Sequence, residues 1–406
     1  MSNVLFVAPF FMETTLRFVD AVAGTPGVRL GLISQDPLEK LPPALASRLA
    51  GHYRAADALD ADGLVVAVEA LGRRLGSVDR LLGTLEELQV PLGVVRDRLG
   101  IRGMGAEAAE NFRDKARMKS VLRDAGLPCA RHALATTAGQ ARAFAEGIGY
   151  PVIVKPPAGS GARSTFRIED PQGLDACLAT MPPSPSAPAL LEEFVTGREH
   201  SFDSIFVDGR MVWYSVNHYY PTPLEVLRTP WIQWCVLSPR EVDDPRYHDI
   251  RDAAVQALRV LGLETGLSHM EWFRRDDGTF AISEVGARPP GAQFTTLASY
   301  AGDFDLYAAW ARVMVHGEFI HPGRPYAAGA AFLKGQGRGR VKRIAGIEEA
   351  QRELGHLVVE ARLPKIGQLP TGTYEGEGYV ILRSPSTEIV EEGLARLVRG
   401  LRVELG

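Results

Sequence analysis

The chain has 406 residues, long for one domain and suited to two or three. Hydrophobic residues at 46% and charged residues at 23% are ordinary for a globular protein, and a formal net charge of −4 argues against a nucleic-acid partner held by bulk electrostatics. Cys129, Cys177 and Cys235 lie far apart with no metal-ligand spacing, which argues against a disulfide scaffold or zinc site and fits a reducing cytoplasm; no stretch approaches the ~20 apolar residues of a membrane span.

The apolar opening, 1–11, lacks a basic leader region and a small-residue cleavage site, so it reads as a first strand at 3–10. Helical spacing follows at 15–22, with Leu16, Val19, Val22 and Ala23 on one side. A strand is expected at 28–33, helical and loop character alternate over 63–88, and 90–95 reads as a further strand. This alternation predicts an α/β domain over about the first 110 residues. No GxGxxG follows its first strand, so dinucleotide binding of that kind is not supported, and Gly103 and Gly105 read as a turn. Residues 106–123 form a charged helix that Gly126 ends, with Pro128 just beyond. Lys115 and Lys119 share a face of it at i, i+4, where lysines are expected to be solvated.

Residues 150–167 say more. A buried strand at 152–154 ends at Lys155, and a loop rich in small residues leads to the next strand at 165–168. Gly159, Ser160 and Gly161 let backbone N–H groups approach an anion and cradle phosphate oxygens, and Lys155 offers a point charge to the same group. The segment is not a Walker loop, since no Gly-Lys-Ser/Thr opens a helix; a plain surface hairpin is the competing reading. After a proline-rich linker at 182–188 comes a strand at 189–195, then one that places Glu199, Ser201 and Asp203 on a single face, with a hairpin turn at Asp208-Gly209. Residues 218–237 read as one long loop near a pocket, or as a hydrophobic flap. Helices are expected at 247–261 and 300–315, and a boundary near 323–325. The last 80 residues carry strands at 328–334, 357–361 and 378–382, a glycine-rich turn at 371–378 and a helix at 386–400.

The stretch 268–291 organises the rest. Two apolar runs flank Asp277-Gly278, a β-hairpin turn signal. Counting outward from that turn sets Glu271 opposite Glu284 and His269 opposite Gly286. Opposed carboxylates sit roughly 4.5–5.5 Å apart at Cβ and repel, so such a pair is ordinarily matched by a cation. Two hard oxygen donors without nearby Cys or His clusters suit Mg²⁺ or Mn²⁺, which takes its other ligands from phosphates and water. A solvated hairpin with two surface glutamates is the alternative, and a single bulge would upset the register.

Together these segments resemble the ATP-grasp superfamily, in particular its bacterial carboxylate–amine ligases of the L-amino-acid ligase kind. The resemblance covers the whole chain and is strongest from about 111 to 291. It implies an α/β (α+β) fold with a Rossmann-like N-terminal domain at 1–112, a two-lobed ATP-grasp domain at 113–322 and a small α+β domain at 323–406 similar to the last domain of biotin carboxylases. Carried over residue by residue, Lys115 and Lys155 are the nucleotide lysines, and Gly159, Ser160 and Gly161 belong to the loop over the triphosphate. Glu192 and the backbone at Glu193, Phe194 and Val195 meet adenine, and Glu199 meets the ribose. Glu271 and Glu284 are the metal acids, Arg288 faces the acyl phosphate, and His269 lies on the carboxylate-substrate side. One departure is Gly286, where many members have a metal-binding Asn. The implied reaction is attack of a carboxylate on the γ-phosphate of ATP, with Mg²⁺ or Mn²⁺, then displacement of phosphate by an amine. The implied partners are small-molecule substrates, with no nucleic acid and no membrane, in the cytoplasm; a homodimer is the assembly common among members. The alternatives are a bicarbonate-activating carboxylase and a nucleotide-binding regulatory protein without turnover.

Overall fold

The computed structural model describes residues 1–159, 164–229 and 232–406. It opens with four parallel strands, β1 (Ser2–Val7), β2 (Val28–Ser34), β3 (Gly51–Arg54) and β4 (Arg80–Leu82), in the order β3-β2-β1-β4. The continuous apolar run of β1 follows from burial on both faces. Val4 and Phe6 pack with Phe18 and Val19 of the helix Glu13–Gly24, while Leu5 and Val7 pack with Leu64 and Val68 of the helix Ala61–Leu75.

Several expectations for helices need correction. Residues 90–95 are not a strand but lie within the helix Gln89–Leu99. Its β-branched residues imitate a strand, yet Pro91 sits in the first turn, where a missing N–H costs nothing. Gly93 lets this helix press against the chain that follows, since a Cβ there would lie 2.7 Å from the Ala106 nitrogen. The single helix expected at 106–123 is two, Ala106–Arg113 and Lys115–Asp124. Asp114 breaks the first and caps the second, accepting from the Ala116 and Arg117 nitrogens at 2.8 and 2.9 Å. The helix expected at 300–315 is likewise two, Phe294–Gly302 and Leu306–His316, interrupted at left-handed Asp303 and recapped by Asp305.

A small antiparallel sheet follows, from β5 (His132–Ala135), β6 (Val152–Lys155), β7 (Phe166–Ile168) and β8 (Ala189–Glu193), in the order β5-β8-β6-β7. The helices Ala138–Ile148 and Pro171–Thr180 cover it through Ala141, Ala145, Leu174 and Cys177.

The remaining strands are β9 (Arg198–Val207), β10 (Arg210–Tyr220), β11 (Trp234–Ser238), β12 (Gly266–Arg274), β13 (Phe280–Gly286), β14 (Ala327–Leu333), β15 (Gly335–Gln336), β16 (Val341–Ala345), β17 (Val358–Arg362), β18 (Gly378–Ser384) and β19 (Arg402–Leu405). Eight of them form one sheet in the order β13-β12-β9-β10-β11-β14-β18-β17, and β15-β19-β16 form a separate three-stranded sheet. The large sheet therefore continues across residue 323, because β14 pairs with β11. Segment 218–237 is not one loop: it holds the end of β10, the helix Pro223–Arg228 capped by Thr222, and the start of β11. Its proline and aromatic content concealed a helix that begins on Pro223, a favoured first position. Among the described residues, no helix is long and apolar enough to cross a membrane.

The β12–β13 hairpin keeps the expected pairs, Glu271 with Glu284 and His269 with Gly286, but reaches them by another route. Its loop has three residues, closed by bonds from the Gly278 nitrogen to Arg275 O (3.0 Å) and from the Arg275 nitrogen to Thr279 O (2.8 Å). Gly278 supplies the left-handed conformation at φ +84°. That loop alone would set Glu271 opposite Ser283. A bulge between the Trp272–Ile282 and Glu271–Glu284 pairs leaves Ser283 unpaired and restores the register.

Candidate functional site

A cavity of about 720 Å³ lies between the small sheet and the β9, β12 and β13 edge of the large one. Lys115, Lys155, Gly159, Glu192, Glu193, Phe194, Val195, Glu199, His269, Glu271, Glu284 and Arg288 all line it, so the expected site residues within the described chain are brought together. Ser160 and Gly161 lie outside the described residues.

The sheets aim the charges. Lys155 ends β6 and meets Glu192 on the adjacent β8 at 2.9 Å. Lys115 reaches the cavity because Asp114 starts a new helix at that point; its Nζ donates to Glu284 Oε1 at 2.8 Å and to the Gly159 carbonyl at 3.0 Å. The Gly159 carbonyl also accepts at 3.2 Å from Arg113, at the end of the preceding helix, so the loop after β6 is tied to both helices.

Lys119 departs from its expected solvated role. It is fully buried, donates to Ser283 O at 2.7 Å and lies 3.4 Å from Glu192 Oε1. The bulge thus has a use: it turns the Ser283 carbonyl towards this lysine. Burial pulls the Lys119 pKa down more strongly than Glu192 raises it, and Lys155 adds to the pull. For Lys155 burial acts the same way, but Glu192 and Glu284 outweigh it and its pKa is raised. Glu192 itself is held below its ordinary value, the two lysines overcoming the upward push of burial. The sequence did hold a signal for Lys119: positions 115, 118, 119 and 122 form one helical stripe, and Met118 and Leu122 are core residues.

The acids form the opposite wall. β9 places Glu199, Ser201 and Asp203 on one face, alongside Phe273, Glu271 and His269 of β12. Glu199 is raised well above its usual range, first by burial and then by the negative charge of Glu271. Glu284 is held down at about 2: burial pushes it up, but Lys115, Lys155 and Arg288 prevail. Excess carboxylate between Glu199, Glu271 and Glu284 is the feature that a divalent cation would neutralise. No group of three or more His, Cys, Asp or Glu is arranged to hold a metal among the described residues. A cation here would have few protein ligands, which suits Mg²⁺ completed by phosphate and water oxygens.

His269 donates from Nδ1 to Asp203 Oδ1 at 2.5 Å and faces Glu271 through Nε2 at 3.7 Å. Burial disfavours its charge, yet Asp203 and Glu271 carry its pKa up to about 10, so the imidazole is a cation at neutral pH. Asp203 also accepts from Asn217 at 2.8 Å, which fixes its orientation. Arg288 lies two residues beyond the end of β13 at Gly286. It is anchored by Nε to Glu86 Oε2 and by Nη1 to Pro289 O at 2.9 Å.

Three contributors were missed. Glu86 sits in a short turn of the first domain with no motif around it; Asp203 stood out only as one of three alternating polar residues; Tyr374 lay inside an apparent glycine-rich turn. Glu86 and Tyr374 both line the cavity. Each comes from a segment far in sequence from the central motifs, so only the fold reveals them.

Residues 120–304 match the ATP-grasp domain family. The L-arginine-specific L-amino acid ligase of Bacillus subtilis is 25% identical over 294 residues, 71% of this chain and 70% of its own. In overall structure the chain superposes on L-amino acid ligase from Bacillus licheniformis with a TM-score of 0.79 at 19% identity, covering 100% of this chain and 99% of the other. It also superposes on the biotin carboxylase domain dimer of Hydrogenobacter thermophilus 2-oxoglutarate carboxylase, solved with MgADP, ADP and bicarbonate, with a TM-score of 0.67 at 16% identity over 99% and 90% of the two chains.

Proposed function

Residues 120–304 of this chain are an ATP-grasp domain, and from that premise we propose that the protein is an ATP-dependent ligase joining the carboxylate of an amino acid or related acid to an amine, with release of ADP and phosphate. The observation that carries the reading is the convergence of Lys115, Lys155, Glu271, Glu284 and Arg288 on one cavity, anions opposed to cations. In this reading Glu193, Phe194 and Val195 at the end of β8 hold the adenine, Glu199 the ribose, and Lys115, Lys155 and the loop at Gly159 the phosphates. Glu192 acts through Lys155, keeping its ammonium charged and in place.

Glu271 and Glu284 would hold Mg²⁺, which supplies charge neutralisation between phosphate oxygens when bound. Protonated His269 and the guanidinium of Arg288 orient the substrate carboxylate for in-line attack on the γ-phosphate. Phosphoryl transfer of this kind is governed by positioning and by charge stabilisation. The carboxylate oxygen takes the phosphoryl group as the bond to ADP breaks, giving an acyl phosphate. The amine then attacks the acyl carbon and phosphate leaves. We further propose 1–112, 113–322 and 323–406 as working units, a cytoplasmic location and a homodimer.

Phosphate release from ATP should depend on an added carboxylate substrate, and hydroxylamine without any amine substrate should capture the activated carboxylate as a hydroxamate. ADP formed from bicarbonate alone, without hydroxamate from any amino acid, would replace this reading with a bicarbonate-activating one, to which the fold is also similar. ADP formation indifferent to every acid would refute both.

A further inference from the structure

We propose that the side chain of the activated carboxylate is received by an aromatic subsite formed by Tyr219, Trp234, Phe294 and Tyr374, and that this substrate is an α-amino acid or related carboxylic acid with a large apolar side chain. The proposal rests on the ligase reading above and adds the substrate class to it. All four residues line the cavity, and they come from β10, β11, the start of the helix Phe294–Gly302 and the segment before β18. The rings form one continuous wall. Trp234 lies 5.4 Å from Tyr219 and 4.8 Å from Tyr374 between centroids, both edge-to-face, and Phe294 lies 5.8 Å from Tyr219 and 6.1 Å from Trp234.

The wall begins where the chemistry ends. Phe294 is 5.2 Å from the His269 ring, so a carboxylate held between His269 and Arg288 would direct its substituent along the aromatic faces. Behind the rings lie Val226, Val236, Leu297 and Phe332 of the same apolar cluster. An apolar substituent that lies along these rings gains by burial.

The backbone makes room for it. Ala292 and Gln293 both adopt left-handed conformations, at φ +47° and +62°, which non-glycine residues seldom do. This turn after Pro290 begins the helix at Phe294 and leaves Gly291 and Ala292, two small residues, on the cavity wall. Gly291 and Ala292 line the same cavity as the rings, and their small size leaves room beside them for a substituent. A single methylene in such a pocket is worth about 10–200-fold in specificity.

The test uses the full-length protein with ATP, Mg²⁺ and hydroxylamine, so that no amine substrate need be known. Hydroxamate formation is measured with L-leucine, L-methionine and L-phenylalanine against glycine, L-alanine, L-aspartate and L-lysine. The large apolar acids should exceed alanine by about 10²-fold in kcat/KM. Phe294→Ala and Tyr374→Ala should each lower the leucine and phenylalanine values by about tenfold or more, through KM for the acid, with KM for ATP within about twofold. Tyr374→Phe keeps the ring and should recover most of that loss. Preference for aspartate, lysine or glycine would overturn the subsite and leave the ligase standing. Equal loss for every acid in the alanine variants would overturn it too, as a merely structural wall. Neither ADP nor hydroxamate from any acid would overturn the ligase reading itself.

Discussion

Lys155 and Lys119 share one carboxylate, Glu192, at 2.9 and 3.4 Å, and the two contacts serve different ends. Lys155 borders the cavity, while Lys119 does not and is fully buried against Ser283 O. Lys155→Ala should therefore weaken ATP binding by about 1.5–3 kcal/mol, the scale of a lost charge-assisted contact, or roughly 10–100-fold in Kd. Lys119→Met removes a buried charge while keeping most of the volume. It leaves the Ser283 carbonyl unsatisfied and removes one of the two cations around Glu192, which should cost about 2–4 kcal/mol of stability and shift ATP affinity little. Urea unfolding and ATP titration of both variants check this; a Lys119→Met protein as stable as wild type would show that the contact contributes nothing. The sequence supported a solvated Lys119 because charge on a helix ordinarily faces water. The stripe it shares with Met118 and Leu122 pointed inward, but the acceptor it meets, the Ser283 carbonyl, comes from a bulge that no local pattern announces. Glu271 and Glu284 were legible because hairpin pairing is a local count, yet the count succeeded through two offsetting irregularities, a third loop residue and the bulge.

At the scale of elements, β9, β10 and β12 carry a second set of paired side chains on the face away from the cavity acids. His200 stacks on Trp272 at 4.6 Å and meets His218 edge-on at 4.7 Å, and His218 Nε2 is hydrogen-bonded with the Tyr247 hydroxyl at 2.7 Å. Burial lowers both histidines, His218 to about 4 and His200 to about 3, with nearby charge such as Arg198 adding to it. A folded pKa below the unfolded value of about 6.5 means that the unfolded chain takes up the proton first. Stability from these two residues is therefore complete above about pH 6.5 and is lost as pH falls from there towards 4. From pH 7.5 to 5 the loss should be about 1–2 kcal/mol per histidine. Urea midpoints at the two pH values should show it, and His218→Gln should flatten the slope. An unchanged slope in that variant would mean that other groups govern the acid limb. Neither imidazole stood out in the sequence, since strand alternation tells which residues share a face and not which strand will lie beside them. The same limit explains the helices: the strand-like run at 90–95 was decided by packing against the helix Ala106–Arg113, not by its β-branched residues.

Across the whole molecule, the N-terminal sheet region shares an apolar core with later elements, Phe6 and Phe18 packing on Trp310, and adds polar contacts to it. Arg17 of the opening helix donates to Thr296 at 3.2 Å and to Glu360 at 3.3 Å, and Glu360 also accepts from Tyr300 and Tyr379 at 2.9 and 2.6 Å. The contact nearest the chemistry is Glu86, which is buried and receives Arg288 Nε, while Arg113 stands 3.9 Å from its other oxygen. Burial disfavours the Arg288 charge, but Glu86 more than compensates and keeps its pKa raised. In the proposed mechanism Glu86, from the N-terminal sheet region, is thus a positioning residue for Arg288, which follows β13. Glu86→Gln keeps an acceptor and the shape but removes the charge that fixes the guanidinium. It should lower kcat by about tenfold, part of the ~10²-fold worth of a donor aimed at the reacting group, while KM for ATP stays near wild type, since the proposed nucleotide contacts lie elsewhere. Glu86→Ala leaves a half-buried arginine with Pro289 O as its remaining acceptor and should in addition cost about 1–3 kcal/mol of stability. Hydroxamate formation under saturating ATP, measured beside urea unfolding, separates the two effects. A Glu86→Gln enzyme with wild-type kcat would mean that Pro289 O alone holds Arg288, and that the first domain contributes shape and not chemistry.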